Sequence, residues 1–221
     1  MWWILLAAGR VPIGTLPNCE DLVVDGSVTI PGDATEIPIM WFQHANCSSL
    51  AIDIEIPANV TSIGLGAFSA TAITGLTFAP GSKLETIDDG AFQLINSIGD
   101  ITIPANVTEI GIDAFNNTDI TRLFFASGSK VETIDENAFS NAGITGIVTL
   151  PDTVTEIKTN AFKNNKIEQF NVPESVTSIG KFIIHDNPKL QRVIVPGNGN
   201  WTDASGLKNL VISLCNTTGS H

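Results

Sequence analysis

The sequence predicts a solenoid of stacked short coils with a parallel β-sheet along one side. Two observations carry that reading. First, an aliphatic, aliphatic, aromatic triplet with offsets of three and five returns every 22 to 26 residues. Second, a short stretch with period-two alternation precedes each triplet and ends at a proline or its substitute, as a strand with one buried face would. Self-similarity at this period means repeat architecture.

Residues Val60, Ile63 and Phe68 set the frame. It recurs as Leu84, Ile87, Phe92, as Val107, Ile110, Phe115, as Val131, Ile134, Phe139 and as Val154, Ile157, Phe162. Ala34, Ile37 and Phe42 form a degenerate first copy, and Val176, Ile179 and Ile184 a last one with isoleucine in the aromatic slot. The body therefore holds about seven coils over residues 24–196, with an N-terminal segment or cap at 1–23 and a cap strand and tail at 197–221.

The strand residues expected to point inward are Ile54 and Ile56, Ile101 and Ile103, Val148 and Leu150, Phe170 and Val172, and Val193 and Val195, each pair followed by proline. Proline has no N–H for the ladder, so pairing stops there. Two coils put alanine in its place and turn through Gly-Ser-Lys, where Gly81 and Gly128 are expected to take positive φ. Five coils place alanine directly before the aromatic, as Ala67 before Phe68, which lets the backbone curve closely over the ring. So short a unit has no second layer of its own, and stacking must supply it. Each buried aliphatic or aromatic side chain contributes roughly 1.5–3 kcal/mol, against the ordering entropy of a whole coil.

The strings IPANVTSIGLGAF (56–68), IPANVTEIGIDAF (103–115) and LPDTVTEIKTNAF (150–162) resemble the BspA-like branch of the leucine-rich repeat family, as do NCSSL (46–50) and FKNNKI (162–167). The resemblance implies a leucine-rich repeat solenoid with a parallel sheet on one side and short strands, turns and short helical segments on the other. It also implies a secreted or cell-surface protein used in adhesion. Shared fold does not fix function, so the residues are weighed separately.

A net charge of −12 opposes binding to a polyanion, and nucleic acid is not an expected partner. No calcium-loop spacing is present, and no cofactor or metal is expected. The acidity reads as a solvated convex surface. Cys19, Cys47 and Cys215 lack metal-ligand spacing. Cys47 reads as a buried structural thiol, with a Cys19–Cys47 bridge as the alternative if the chain is exported. The apolar run at 1–8 is too short to span a bilayer. It reads as a signal-peptide remnant, or else as a truncated start or a capping strand. Six sequons begin at Asn46, Asn59, Asn106, Asn116, Asn200 and Asn216, and serve either as glycan acceptors or as polar residues of the coil turns.

No catalytic constellation emerges, and the expectation is that the chain is not an enzyme. His44 near Cys47 reads as a loop histidine, His185 with Asp186 as a turn pair, and His221 as a terminal remnant. Repeated acidic pairs such as Asp88-Asp89 and Asp135-Glu136 recur with the coil, whereas glycosidase carboxylates occur once, in a cleft.

Residues two and four before the proline position should face outward on the sheet. The acidic pair Asp53 and Glu55 lies at one end, whereas Arg122, Phe124, Ile147, Gln169, Arg192 and Ile194 lie toward the other. Arginine beside aromatic and aliphatic groups is the mixture enriched at protein contacts, so these six are the candidate binding residues for a protein or glycan partner. Ordinary cross-strand packing is the competing account of the same residues. The alternative function is a scaffold fragment of a longer array that self-associates end to end.

Overall fold

The computed structural model describes residues 3–6, 9–12, 23–24, 27–28, 30, 32–42 and 51–195. Strands β1 (Trp3–Leu6) and β2 (Gly9–Pro12) pair antiparallel, as do β3 (Val23–Val24) and β4 (Ser27–Val28). The rest is a parallel solenoid in which a short and a long strand alternate along the chain.

The short strands are β5 (Glu36–Ile37), β7 (Ser62–Ile63), β9 (Thr86–Ile87), β11 (Glu109–Ile110), β13 (Thr133–Ile134), β15 (Glu156–Ile157) and β17 (Ser178–Ile179). They form one seven-stranded parallel ladder in chain order, and its isoleucines are the middle residues of the triplet. The long strands are β6 (Ile52–Ile56), β8 (Ile73–Phe78), β10 (Gly99–Ile103), β12 (Ile120–Phe125), β14 (Thr145–Thr149), β16 (Lys166–Asn171) and β18 (Arg192–Ile194).

All three positions of the five clean triplets are fully buried, each at 0% exposure. The rings of Phe42, Phe68, Phe92, Phe115, Phe139 and Phe162 stack in one column with centroids 5.0–5.2 Å apart. The preceding alanine has a second use beyond its small size. Phe68 N–H donates to Ala91 O, Phe92 N–H to Ala114 O and Phe115 N–H to Ala138 O, each at 2.8 Å. Every coil is thereby sewn to the next beside the ring that packs on it.

Short helical segments were expected opposite the long strands; among the described residues turns stand there instead. The cause is backbone handedness. Met40, Asp113, Asn137, Asn160 and Phe182, two before the aromatic slot, have φ of 52–59°, and Ala70, Leu94, Asn117, Asn141, Asn164 and Asp186, two after it, have φ of 54–61°. A left-handed residue at each end confines the segment to one right-handed turn, too short for a helix to propagate.

The long strands do not form one unbroken hydrogen-bonded sheet. β6 pairs with β8, β10 with β12, and β14 with β16 and β18, but no ladder joins β8 to β10 or β12 to β14. The last inward residue of each strand explains the pattern, since Ile56, Phe78, Ile103, Phe125, Leu150 and Val172 follow one another at 22, 25, 22, 25 and 22 residues. The longer intervals belong to the Gly-Ser-Lys coils, where Gly81 and Gly128 have φ of +74° and +73° as expected. Ala79 N–H donates back to Ile56 O at 2.9 Å and Ala126 N–H to Ile103 O at 3.0 Å. Pro104 and Pro151 hold the equivalent place in the following coils and have no N–H to donate. A lengthened coil followed by a proline therefore opens the sheet.

Lysine ties each lengthened turn to the coil before it. Lys83 Nζ donates to Asn59 Oδ1 at 3.0 Å and Lys130 Nζ to Asn106 Oδ1 at 2.8 Å, while those amides donate to Gly32 O and Ser82 O. The two ANVT sequons thus sit in inter-coil staples. Cys19, Cys47, Cys215, His44, His221, the sequons at Asn46, Asn200 and Asn216, and the cap assigned to 197–221 lie outside the described residues.

Candidate functional site

The register of the long strands is as the alternation predicts. Leu123 is buried and Phe124 is 44% exposed, so the outward-facing set stands on the open side of the sheet. Ile147 is 58% and Ile194 43% exposed, Arg122 and Arg192 are exposed, and Gln169 is half-buried.

The six candidate residues do not form one patch. Arg122, Phe124 and Ile147 come together. The Arg122 guanidinium carbon lies 5.6 Å from the Phe124 ring centroid, and Nε donates to Asp100 Oδ2 at 3.0 Å. That hydrogen bond and the carboxylate charge hold the guanidinium pKa above its ordinary value. Phe124 and Ile147 both line a groove of about 660 Å³ at the opening between β12 and β14. Phe125, Leu150 and Pro151 supply more of its wall.

Further along, Ile147, Gln169 and Arg192 stand opposite one another on β14, β16 and β18, and Thr149, Asn171 and Ile194 form the adjacent row. Asn171 Nδ2 donates to Thr149 Oγ1 at 2.7 Å and Gln169 Nε2 to Asn171 Oδ1 at 2.8 Å. This amide network separates Ile194 and Arg192 from the Phe124 groove.

The other opening, between β8 and β10, repeats the groove with different chemistry. Its volume is about 510 Å³, and Thr77 and Asp100 take the places of Phe124 and Ile147. One solenoid thus carries the same concavity twice, two coils apart, with different side chains at the two outward positions. Sequence reasoning missed both grooves, although the alternating coil length marks where they occur.

A second apolar edge was also missed. Ile39, Leu65 and Ile112, three residues before the aromatic slot, are 64%, 43% and 40% exposed. Leu65 and Ile112 flank a 260 Å³ concavity with Met40, Asp89 and Gln93. Beside it, partial burial and then the charge of Asp89 raise the carboxyl pKa of Asp88.

Of the described histidines, His185 is half-buried, with Nδ1 2.8 Å from Asp186 Oδ2. Asp135 and Lys158 pair at 2.7 Å, with the Asp135 side chain 8% exposed. Among the described residues no group of three or more histidine, cysteine or acidic side chains is placed to hold a metal ion, and no helix is long and apolar enough to cross a membrane.

The repeat geometry is matched by known proteins. The family model of the BspA type leucine rich repeat region fits residues 26–145 and 124–217, in six copies. The crystal structure of the pneumococcal vaccine antigen PcpA superposes with a TM-score of 0.53 at 21% identity, over 74% of this chain and 56% of that one. A leucine-rich repeat protein from Bacteroides ovatus is 28% identical over 53% of this chain and 31% of its own, with a TM-score of 0.43. The chain thus spans just over half the length of the pneumococcal protein and a third of the Bacteroides one. No curated protein matches it.

Proposed function

The chain belongs to the BspA-type leucine-rich repeat family, and from that premise we propose that it is a non-enzymatic recognition or adhesion module of a secreted or cell-surface protein. It takes a protein or glycan partner on the open sheet face, at the groove between β12 and β14. One observation carries the reading: Phe124 and Ile147, both large, apolar and exposed, line a single groove beside Arg122. A solvent-exposed aromatic with a neighbouring arginine is the composition of an interface centre. Family membership supports the location and the non-enzymatic role, since the repeats are built as a scaffold that presents a surface. The fold shared with a pneumococcal vaccine antigen is consistent with that setting.

The test is binding of the intact chain to purified extracellular-matrix proteins and arrayed glycans, with Phe124→Ser and Ile147→Asn beside the native protein. Both side chains point away from the core, so the variants should keep the native melting temperature. Each should weaken a genuine interaction by more than about 1 kcal/mol. A partner bound equally well by all three proteins contradicts the assignment.

A further inference from the structure

Away from the sheet face, the turns around the aromatic slots form one continuous edge. A backbone ladder runs along it from Met40 N–H to Leu65 O at 2.9 Å, coil by coil, to Asn160 N–H and Lys181 O at 2.9 Å. Gly66, Gly90 and Phe182 hold the same repeat position on this edge, two before the slot, at φ 58–59°. The shared backbone conformation directs any substituent there the same way. At Gly66 and Gly90 there is none, and a β-carbon would meet nothing nearer than 3.7 and 3.5 Å. These two glycines, in successive coils, line the 260 Å³ concavity with Met40, Leu65 and Ile112 and the acidic Asp89 and Asp113. A phenyl ring needs roughly 150 Å³, so the notch has room for one.

The far end of the edge carries the converse. Phe182 is 37% exposed, rests edge-on against His185 at 5.4 Å and directly follows the exposed Lys181. The two coils before it hold Asn137 and Asn160 at this position, so a coil does not need a ring there to close. Charge divides the edge in the same way. The turns of coils three to five (88–94, 111–117 and 135–141) carry Asp88, Asp89, Asp113, Asp135 and Glu136 and no lysine or arginine. Those of coils six and seven (158–164 and 180–186) carry Lys158, Lys163 and Lys181, with Asp186 beside His185 as the acidic exception. Lys158 is engaged by Asp135, which makes Lys163 and Lys181 the cations that a neighbouring molecule would meet.

One edge thus bears an apolar knob beside lysine in its last coil and a notch beside aspartate in its second to fourth. A second copy turned so that the two edges run antiparallel brings each Phe182 to the other's notch and each Lys181 to the other's Asp89 and Asp113. The contact is made twice, as a closed two-fold interface requires. We propose that the chain forms a two-fold dimer along this edge, with Phe182 of each copy seated in the Gly66–Gly90 notch of the other. This interface is separate from the sheet-face groove, does not depend on it, and differs from end-to-end stacking of coils. Seven coils at roughly 5 Å make a contact only about 30 Å long, at the small end of specific interfaces. The net charge of −12 on each copy also opposes association at low salt. The dimer is therefore reversible, with a dissociation constant on the order of 10–100 µM.

The experiment is sedimentation equilibrium of the intact chain from about 1 to 300 µM at roughly physiological salt, with reductant present so that cysteines cannot cross-link. The mass should rise from 23.4 kDa to twice that value and stop. Phe182→Asn removes the knob and Gly90→Asn fills the notch, each with the residue that other coils place there, so both variants should keep the native melting temperature. Each should weaken the dimer by at least about tenfold, and Lys181→Glu by about three- to tenfold. An equimolar mixture of Phe182→Asn and Gly90→Asn should associate more tightly than either variant alone, because the knob of one meets the intact notch of the other. Phe124→Ser should dimerise as the native chain does. The proposal is overturned if the chain is monomeric throughout, if the mass passes the dimer, or if Phe182→Asn dimerises normally. It is also overturned if mixing restores nothing. Loss of the dimer in Phe124→Ser alone would move the contact to the sheet face and refute this edge.

Discussion

The ring of Phe170 meets that of Phe162 edge-on, with centroids 5.0 Å apart and planes at 64°. From Phe42 to Phe162 the rings stack face to face, all from the aromatic slot of the triplet. The last coil has Ile184 in that slot, so the column is completed by an inward residue of β16 instead. Both positions are fully buried. Phe115→Ala and Phe139→Ala, mid-column, should each cost about 3–5 kcal/mol in equilibrium denaturation. Phe170→Ala should fall in the same range despite lying outside the triplet, and a cost near zero would show that the column ends at Phe162.

Asn165 closes a different account. Its side chain is buried at 3% exposure, accepts from Ile144 N–H at 3.0 Å, and donates to Phe139 O at 2.8 Å and Phe162 O at 3.0 Å. Asn165→Ala leaves those groups without partners and should cost about 2–3 kcal/mol by denaturant titration. Asn165→Asp should be at least as costly, because a carboxylate oxygen would face the carbonyl oxygens of Phe139, Phe162 and Lys163. The surface change Asn141→Asp should shift the midpoint little.

Glycine at position 180 is dictated by a neighbour. A β-carbon there would stand 2.3 Å from Thr159 N, on the backbone of the preceding coil. Gly180→Ala must push two coils apart and should cost about 1–3 kcal/mol. Gly32→Ala, with nothing within 4 Å, should change the melting temperature negligibly. Equal effects would mean that the coils are not in close backbone contact at this edge.

Two charged groups each make stability fall as pH rises, in different pH windows. Burial, then repulsion from Asp89, raises the folded-state pKa of Asp88 above the ordinary 3.8. Below the unfolded value the group is protonated in both states and costs nothing. As pH rises from the unfolded value to the folded one, ionisation of the unfolded chain alone lowers stability, and the full penalty remains above it. Asp88→Asn should therefore be more stable than native near neutral pH and indistinguishable from it below 3.8. The Lys158 pKa is raised above 10.5, chiefly by its hydrogen bond to Asp135. That stabilisation is full below the unfolded value and disappears as pH climbs through the folded one. Lys158→Met should lose stability near neutral pH and flatten the alkaline limb of the thermal profile.

Much of this was legible in the chain because a solenoid repeats its constraints. Period-two alternation put Leu123 inside and Phe124 outside, and the triplet located every core ring from Phe42 to Phe162. Helical segments were expected where turns occur because left-handed backbone has no reliable sequence mark: asparagine signals it at 137 and 160, but Met40, Leu94 and Phe182 adopt it as well. The grooves went unseen for another reason. They arise from two adjacent coils acting together, a lengthened Gly-Ser-Lys turn followed by Pro104 or Pro151, and no single repeat contains both. Separation of Ile194 from Phe124 likewise depends on cross-strand rows, which outward-facing parity alone does not order.

Oxidative footprinting of the intact chain with hydroxyl radicals, read residue by residue by mass spectrometry, tests the central claim most directly. Stacked coils with a free sheet face predict rapid modification of Phe124, with Phe92, Phe115 and Phe139 protected until the chain unfolds globally. Modification of Phe115 or Phe139 at the rate of Phe124 under native conditions, or protection of Phe124 in the isolated monomer, would contradict it.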